Sequence, residues 1–156
     1  MSWPSLPDKL QRAIMARLQL ITTANGYQTD IDSNHVVADV RSADWMANHV
    51  PCLVVLLGAE RQDEENVGTA IMTLELEVGG LTQDKDDPRD VREKLIEDVK
   101  QCLYSAHRLD DPDNPGTALG NRMRPLEFDR FDGEQQTGLA GFSASLVLEF
   151  FEETSR

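Results

Sequence analysis

Apolar residues along this chain recur with two different periods, and each change of period marks a new element. Between Asp87 and Arg108 the stretch DPRDVREKLIEDVKQCLYSAHR sets Val91, Leu95, Val99 and Leu103 four apart, with Ile96, Cys102 and Ala106 widening the stripe. That spacing predicts a helix with one apolar face. Asp87 can accept from the free N–H groups at its start, Pro88 suits the first turn, and Asp90 stands near the positive end of the dipole. Glu93, Lys94, Glu97, Asp98 and Lys100 predict a solvated outer face with opposite charges three or four residues apart. The same period puts Leu10, Ile14, Leu18 and Ile21 on one side of a first helix over Pro7–Asn25. Ser5 and Asp8 are spaced as a capping box ahead of it, and Asn25-Gly26 is a left-handed stop.

A period of two governs the rest. Thr69–Val78 alternates Ala70, Met72, Leu74, Leu76 and Val78 against Thr73, Glu75 and Glu77, and Gly79-Gly80 is expected to end this half-buried strand. Pro51–Gly58 is a near-continuous apolar run, suited to a strand buried on both faces and paired with 69–78 as an antiparallel hairpin. Leu139–Phe151 carries Phe142, Ala144, Leu146, Leu148 and Phe150 on one face and Ser143, Ser145, Val147, Glu149 and Phe151 on the other. Met123–Phe131 reads as an edge strand because of Pro125, with a turn beginning at Asp132-Gly133. Tyr27–Val40 reads as two short extended pieces interrupted by Asp32-Ser33-Asn34. Arg41–His49 reads as a polar loop carrying Trp45. Glu60–Asn66 reads as a charged connector, Leu81–Asp86 as a link, and Leu109–Arg122, dense in Pro, Gly, Asp and Asn, as a mobile loop.

The order helix, strands, helix, strands predicts a single α+β domain over residues 1–156. It is a mostly antiparallel sheet of four to five strands with two helices packed on one face. A chain of 156 residues can bury roughly 70% of its unfolded surface.

Charge narrows the function more than composition does. Fifteen basic residues against twenty-eight acidic ones give a formal charge of −13, which repels nucleic-acid phosphates and argues against stable nucleic-acid binding. No apolar run approaches the ~20 residues of a membrane span, and no basic-then-apolar signal pattern opens the chain, so a cytoplasmic location is expected. Cys52 and Cys102 fall inside apolar elements and read as small buried hydrophobes, not as a disulfide or a metal site.

Candidate chemistry is sparse. His35, His49 and His107 lack partners at ligand spacing, and His107 suits the negative end of a helix dipole. Asp110, Asp111, Asp113 and Asn114 resemble calcium ligands, but Pro112 and Pro115 interrupt the pattern and a polar turn is expected. Asp84, Asp86 and Asp87 precede a helix, where acids are favoured. No phosphate-binding glycine loop, nucleophile elbow or Ser or Cys with a base partner occurs, so no catalytic, cofactor-binding or metal-binding residue is assigned. Arg122, Arg124 and Arg130 could form a small basic patch, with pairing to acids expected instead of nucleic-acid contact.

An N-terminal helix ends in Asn25-Gly26, and an extended segment runs into Val36-Val37-Ala38-Asp39-Val40. The strand Pro51-Cys52-Leu53-Val54-Val55 precedes Gly58-Ala59-Glu60 and a long alternating strand. A helix with Leu95-Ile96-Glu97-Asp98-Val99 is followed by a Gly/Pro loop and a terminal hairpin. This layout, covering nearly the whole chain, resembles the tail terminator (tail completion) proteins of long-tailed bacteriophages and prophages. It also fits other small neck or connector proteins of the same virion. The resemblance implies a non-catalytic structural protein that forms a ring, usually hexameric, on the end of the tail tube. Such a ring stops tube polymerisation and offers a surface to the head.

The implied partners are further copies of itself, the tail tube protein and a head-completion or connector protein, with no cofactor and no membrane. The implied location is the bacterial host cytoplasm during assembly and then the virion tail or neck. Within such a ring, Asp63, Glu64 and Glu65 are expected to face the channel, where an acidic lining lets DNA pass without sticking. Arg41, Trp45, Arg122 and Arg124 are the expected intersubunit contacts. The alternative reading is a small α+β ligand-binding or regulatory module without catalytic activity.

Overall fold

The strand Thr69–Gln83 pairs antiparallel with a neighbour on each side, and the rest of the sheet extends outward from it. The computed structural model describes residues 6–66, 69–104, 109–118, 122–124, 126–133 and 136–153. For 63–66, 69–70, 110, 114–118, 122 and 151–153 it describes the backbone alone. In chain order the elements are α1 (Leu6–Leu18), 3₁₀ turns at Thr23–Asn25 and Ser33–His35, β1 (Val36–Val37) and α2 (Ala43–Asn48). There follow β2 (Cys52–Asn66), β3 (Thr69–Gln83), α3 (Pro88–Tyr104), β4 (Asp110–Asp111), β5 (Asn114–Ala118), β6 (Arg122–Met123), β7 (Glu127–Asp132) and β8 (Leu139–Glu153).

The fold is α+β. Its main sheet runs β1-β2-β3-β8-β6, with β7 also on β8, and β4-β5 form a separate hairpin. The sheet is mixed, because β1 lies parallel to β2 through Val36↔Leu53 and Val37↔Val54. All other described pairings are antiparallel. Among the described residues no helix is long and apolar enough to cross a membrane.

The inner face of the sheet is the apolar set expected from the alternation. Leu53, Val55, Met72, Leu74, Leu76, Val78, Phe142, Ala144, Leu146, Leu148 and Phe150 are buried in one cluster with Leu10, Ile14, Leu18, Leu95, Ile96, Val99 and Leu103. Both long helices thus lie on one face. They are tied to each other by a reciprocal pair: Arg17 Nη2 donates to the Cys102 carbonyl (3.1 Å) and Cys102 Sγ to the Arg17 carbonyl (3.0 Å). Gln11, buried on α1, donates to the Val55 carbonyl at 2.8 Å, satisfying the β2 edge just where β1 has ended.

Several expectations are corrected. Gly79-Gly80 does not end β3, which continues to Gln83. A Cβ on Gly80 would lie 2.3 Å from Cε1 of Phe142, its partner across β8, so the glycine is there to seat that ring. Glu60–Asn66 is not a connector but the second half of β2, paired with β3 across two register shifts, at Leu57/Glu60 and Gln62/Glu64. Bulges and charge at such a strand edge discourage further pairing.

Tyr27–Val40 holds one two-residue strand and two 3₁₀ turns instead of two strand pieces. The first helix stops at Leu18; Gly26, with φ 92°, caps the 3₁₀ turn that follows. Ser5, the proposed cap, lies outside the described residues.

The α3 helix begins as its sequence predicts, with the Asp87 carboxylate accepting from the Asp90 amide at 3.2 Å. Its outer face is less simple. Asp98, expected in solvent, is fully buried and accepts from the amides of Gln28 and Thr29 and the Thr29 hydroxyl. The loop after α1 has no strand partner for those N–H groups, and Asp98 supplies the acceptor they need. Arg92 is also buried, donating to Asp132 at 2.7 Å and to the Phe131 carbonyl at 3.1 Å.

The polar stretch after α3, expected as a loop, forms the strands β4 and β5 where it is described. Leu109 is fully buried in the core. Asp111 and Asp113 receive Lys9 and Arg12 of α1 at 3.0 and 3.1 Å, which pins the β4–β5 hairpin to that helix. The calcium-like acids are thus a turn, as expected, closed by the Asp113 amide on Asp111 at 2.9 Å.

Candidate interaction surface

With α1 and α3 covering the inner face, the outer face of the sheet is the open one, and its pattern follows from strand register. One row across the strands reads Leu56, Glu77, Ser145, Glu127; the next reads Val54, Gly79, Ser143, Asp129. Beyond these, Glu75 stands opposite Val147 on one side, while Leu81, Gly141 and Phe131 align on the other. The two middle strands present Gly79, Ser143 and Ser145 between Leu56 of β2 and Glu127 of β7. A trough of about 880 Å³ results, bordered by Leu56, Leu57, Glu75, Glu77, Arg124, Glu127, Ser143, Ser145 and Val147.

A smaller apolar hollow of about 210 Å³ continues from the trough, sharing Leu56, Glu77 and Ser143 with it. Val40, Met46, Val54 and Phe131 supply its apolar border. Phe131 is 51% exposed and lies over Gly141, where a Cβ would meet its ring at 2.3 Å.

The third helix, α2, lies over this outer face and was not expected. Ser42 caps it, its hydroxyl accepting from the Trp45 amide at 3.1 Å. That Ser-Ala-Asp-Trp start is the one signal in the sequence that could have found the helix. Cys52, directed to this side of β2, donates weakly to the Met46 carbonyl at 3.8 Å. Burial there pushes the Cys52 thiol up to about 11. Neither Cys52 nor Cys102 forms a disulfide.

The residues expected to make intersubunit contacts divide into two groups. Arg41 and Trp45 are together: the Arg41 guanidinium carbon lies 5.3 Å from the Trp45 ring centre, and Trp45 stacks on His49 at 4.1 Å. His35 meets His49 edge-on at 5.3 Å, a contact that their sequence separation concealed. Among the described residues no group of three or more His, Cys, Asp or Glu is placed to hold a metal.

Arg124 stands across the sheet beside β6, donating to Glu149 at 2.6 Å, and Arg122 is the neighbouring β6 position opposite Glu149. Arg130 points elsewhere, to Glu93 at 2.8 Å, so the three arginines do not form one basic patch. Glu64 and Glu65 occupy β2 opposite Ile71 and Ala70, with Asp63 at the register shift beside them; their side chains lie outside the described residues. His107 also lies outside them.

No protein-family model matches this chain, and no match was found among characterised proteins. Its function is therefore argued from the surface itself.

Proposed function

We propose that this chain is a non-catalytic structural subunit that closes head-to-tail into a ring, in the manner of the phage tail terminators it resembles. The observation that carries the reading is that the expected contact residues form two separate groups, Arg41 with Trp45 beside α2 and Arg122 with Arg124 at β6. Two separate, unlike contact groups on one subunit suit a heterologous interface, in which one group of each copy meets the other group of the next. Such an interface generates a ring when its rotation closes. The ring would cap the tail tube and meet the head or neck, with the β2–β3 arm bearing Asp63, Glu64 and Glu65 turned to the channel. Those acids would keep passing DNA from adhering.

Light scattering after size exclusion, followed by electron microscopy of the peak, tests this on the full chain. A closed ring of several copies is expected, weakened by Arg124→Glu and by Trp45→Ala while the circular dichroism spectrum is retained. A monomer at millimolar concentration, or open filaments, would overturn the reading. So would a ring whose channel-facing residues sum to a positive charge.

A further inference from the structure

The outer-face trough has a chemistry of its own, with the proposed ring contacts Arg124 and Arg41 only at its border. Its lining carries Glu75, Glu77 and Glu127 against Arg124 and Arg41. Arg124 is already held by Glu149 at 2.6 Å, and Arg41 sits over Trp45. Glu77 takes the Ser143 hydroxyl at 2.6 Å, which orients its carboxylate over the floor without neutralising it. Among the described residues neither Glu75 nor Glu127 has a cationic partner. The trough is therefore acidic for most of its length and apolar at one end, where Val40 is 77% exposed and Phe131 51%.

We propose that this trough binds an extended, basic segment of a different protein, with an apolar side chain seated in the hollow between Val40, Met46 and Phe131 and cations lying over Glu77, Glu75 and Glu127.

Three observations select that occupant. The floor is made by Gly79, Ser143 and Ser145, small enough for a backbone to approach, and it runs along the strands. Successive rows on one face of a sheet are about 7 Å apart, which matches the spacing of alternate residues in an extended chain. An apolar anchor over Gly79 thus brings the side chains two and four positions further along to the rows of Glu77 and Glu75. Finally, charge excludes the commonest rivals. Nucleic acid and anionic lipid are repelled, and most described cations of a second copy are already paired with its own acids. Lys9 and Arg12 are held by Asp111 and Asp113, and Arg89 and Arg92 by Asp132. A basic partner protein supplies what this surface lacks.

The test uses capped synthetic peptides and the ¹⁵N-labelled full chain. The probe peptide has one Phe followed by Lys at the second and fourth positions after it, the rest Ser. One control carries Glu for both Lys and another Ser for Phe. The proposal expects saturable amide shifts centred on Gly79, Ser143 and Ser145 with the probe. It also expects binding to weaken about tenfold when salt rises from low to several hundred millimolar. Glu77→Lys combined with Glu127→Lys should weaken the probe by about tenfold or more and reverse the preference toward the Glu-bearing peptide. Phe131→Ser, an exposed substitution, should abolish the advantage of the Phe-bearing probe over its Ser control.

Equal binding of the Lys and Glu peptides would overturn the proposal, as would shifts scattered away from the trough or none at millimolar peptide. Concentration-dependent shifts centred on Gly79, Ser143 and Ser145 without any peptide would also overturn it, because a second copy would then fill the floor; ring closure by itself centres its shifts on Trp45 and Arg122 instead.

Discussion

The Asp98 carboxylate accepts both the amide and the hydroxyl of Thr29, at 2.7 and 2.5 Å, and neighbouring Gln28 donates its amide to the same group at 2.9 Å. One acid in the middle of α3 thereby terminates the backbone of a loop some seventy residues earlier in the chain. Asp98→Ala would take the acceptor from those part-buried donors and is expected to cost about 1–3 kcal/mol. Asp98→Asn, which keeps one acceptor oxygen, should cost less. Urea unfolding of both variants checks the order; equal stability of Asp98→Ala and the parent would mean that the loop finds other acceptors.

The Gly80–Phe142 contact makes a second case. Gly80→Ala places a Cβ 2.3 Å from the fully buried Phe142 ring. The expected loss is about 1–3 kcal/mol, and adding Phe142→Leu should recover part of it. Thermal melts of the single and double variants measure the recovery, and an additive loss would count against ring overlap as the cause.

Val99 is fully buried, packed where α3 meets the sheet. Val99→Asp buries an unpaired charge and should leave the domain unfolded at ordinary temperature. Loss of dispersion in the proton NMR spectrum is the readout, and an unchanged melting temperature would contradict the placement of this helix face.

Acid should loosen the α3–β7 junction. Arg92 holds the Asp132 carboxyl below its ordinary 3.8, and Arg130 holds Glu93 below its ordinary 4.5. Folded-state values that are depressed mean stability fully present above those ordinary values and lost as pH falls through the lower, folded ones. Both carboxylates are largely solvated, so the effect is small in size but definite in sign. The melting temperature should hold steady from neutral pH to about 5 and fall below about 4. Asp132→Asn should flatten part of that fall; a decline that begins near neutrality would point to other groups.

Cys52 should resist thiol reagents at pH 8, because burial pushes its thiol up to about 11 and hides it under α2. Reaction should follow unfolding, which a mass-shift time course in rising denaturant would reveal. Immediate modification of the native protein at Cys52 would show that α2 does not cover it.

Much of this architecture was legible from residue order alone, because two periods in the apolar positions bind each element to one face. The period-four stripe of α3, the alternation of β3 and β8, and the cap at Asp87 all rest on neighbours within a few residues, so local sequence determines them. The α+β class follows from their order. What only the tertiary structure decided depends on partners far along the chain. Gly79-Gly80 looked like a stop because local propensity disfavours glycine in a strand, yet Phe142 from β8 needed the room. Asp98 looked like a surface acid until the amides of a distant loop required an acceptor. The charged half of β2 became a strand because β3 and β8 pair continuously alongside it, and backbone hydrogen bonds outweigh its weak local preference. The trough was invisible for the same reason: Leu56, Glu77, Ser145 and Glu127 become neighbours only through register, which sets Glu77 beside Ser145 from 68 positions away.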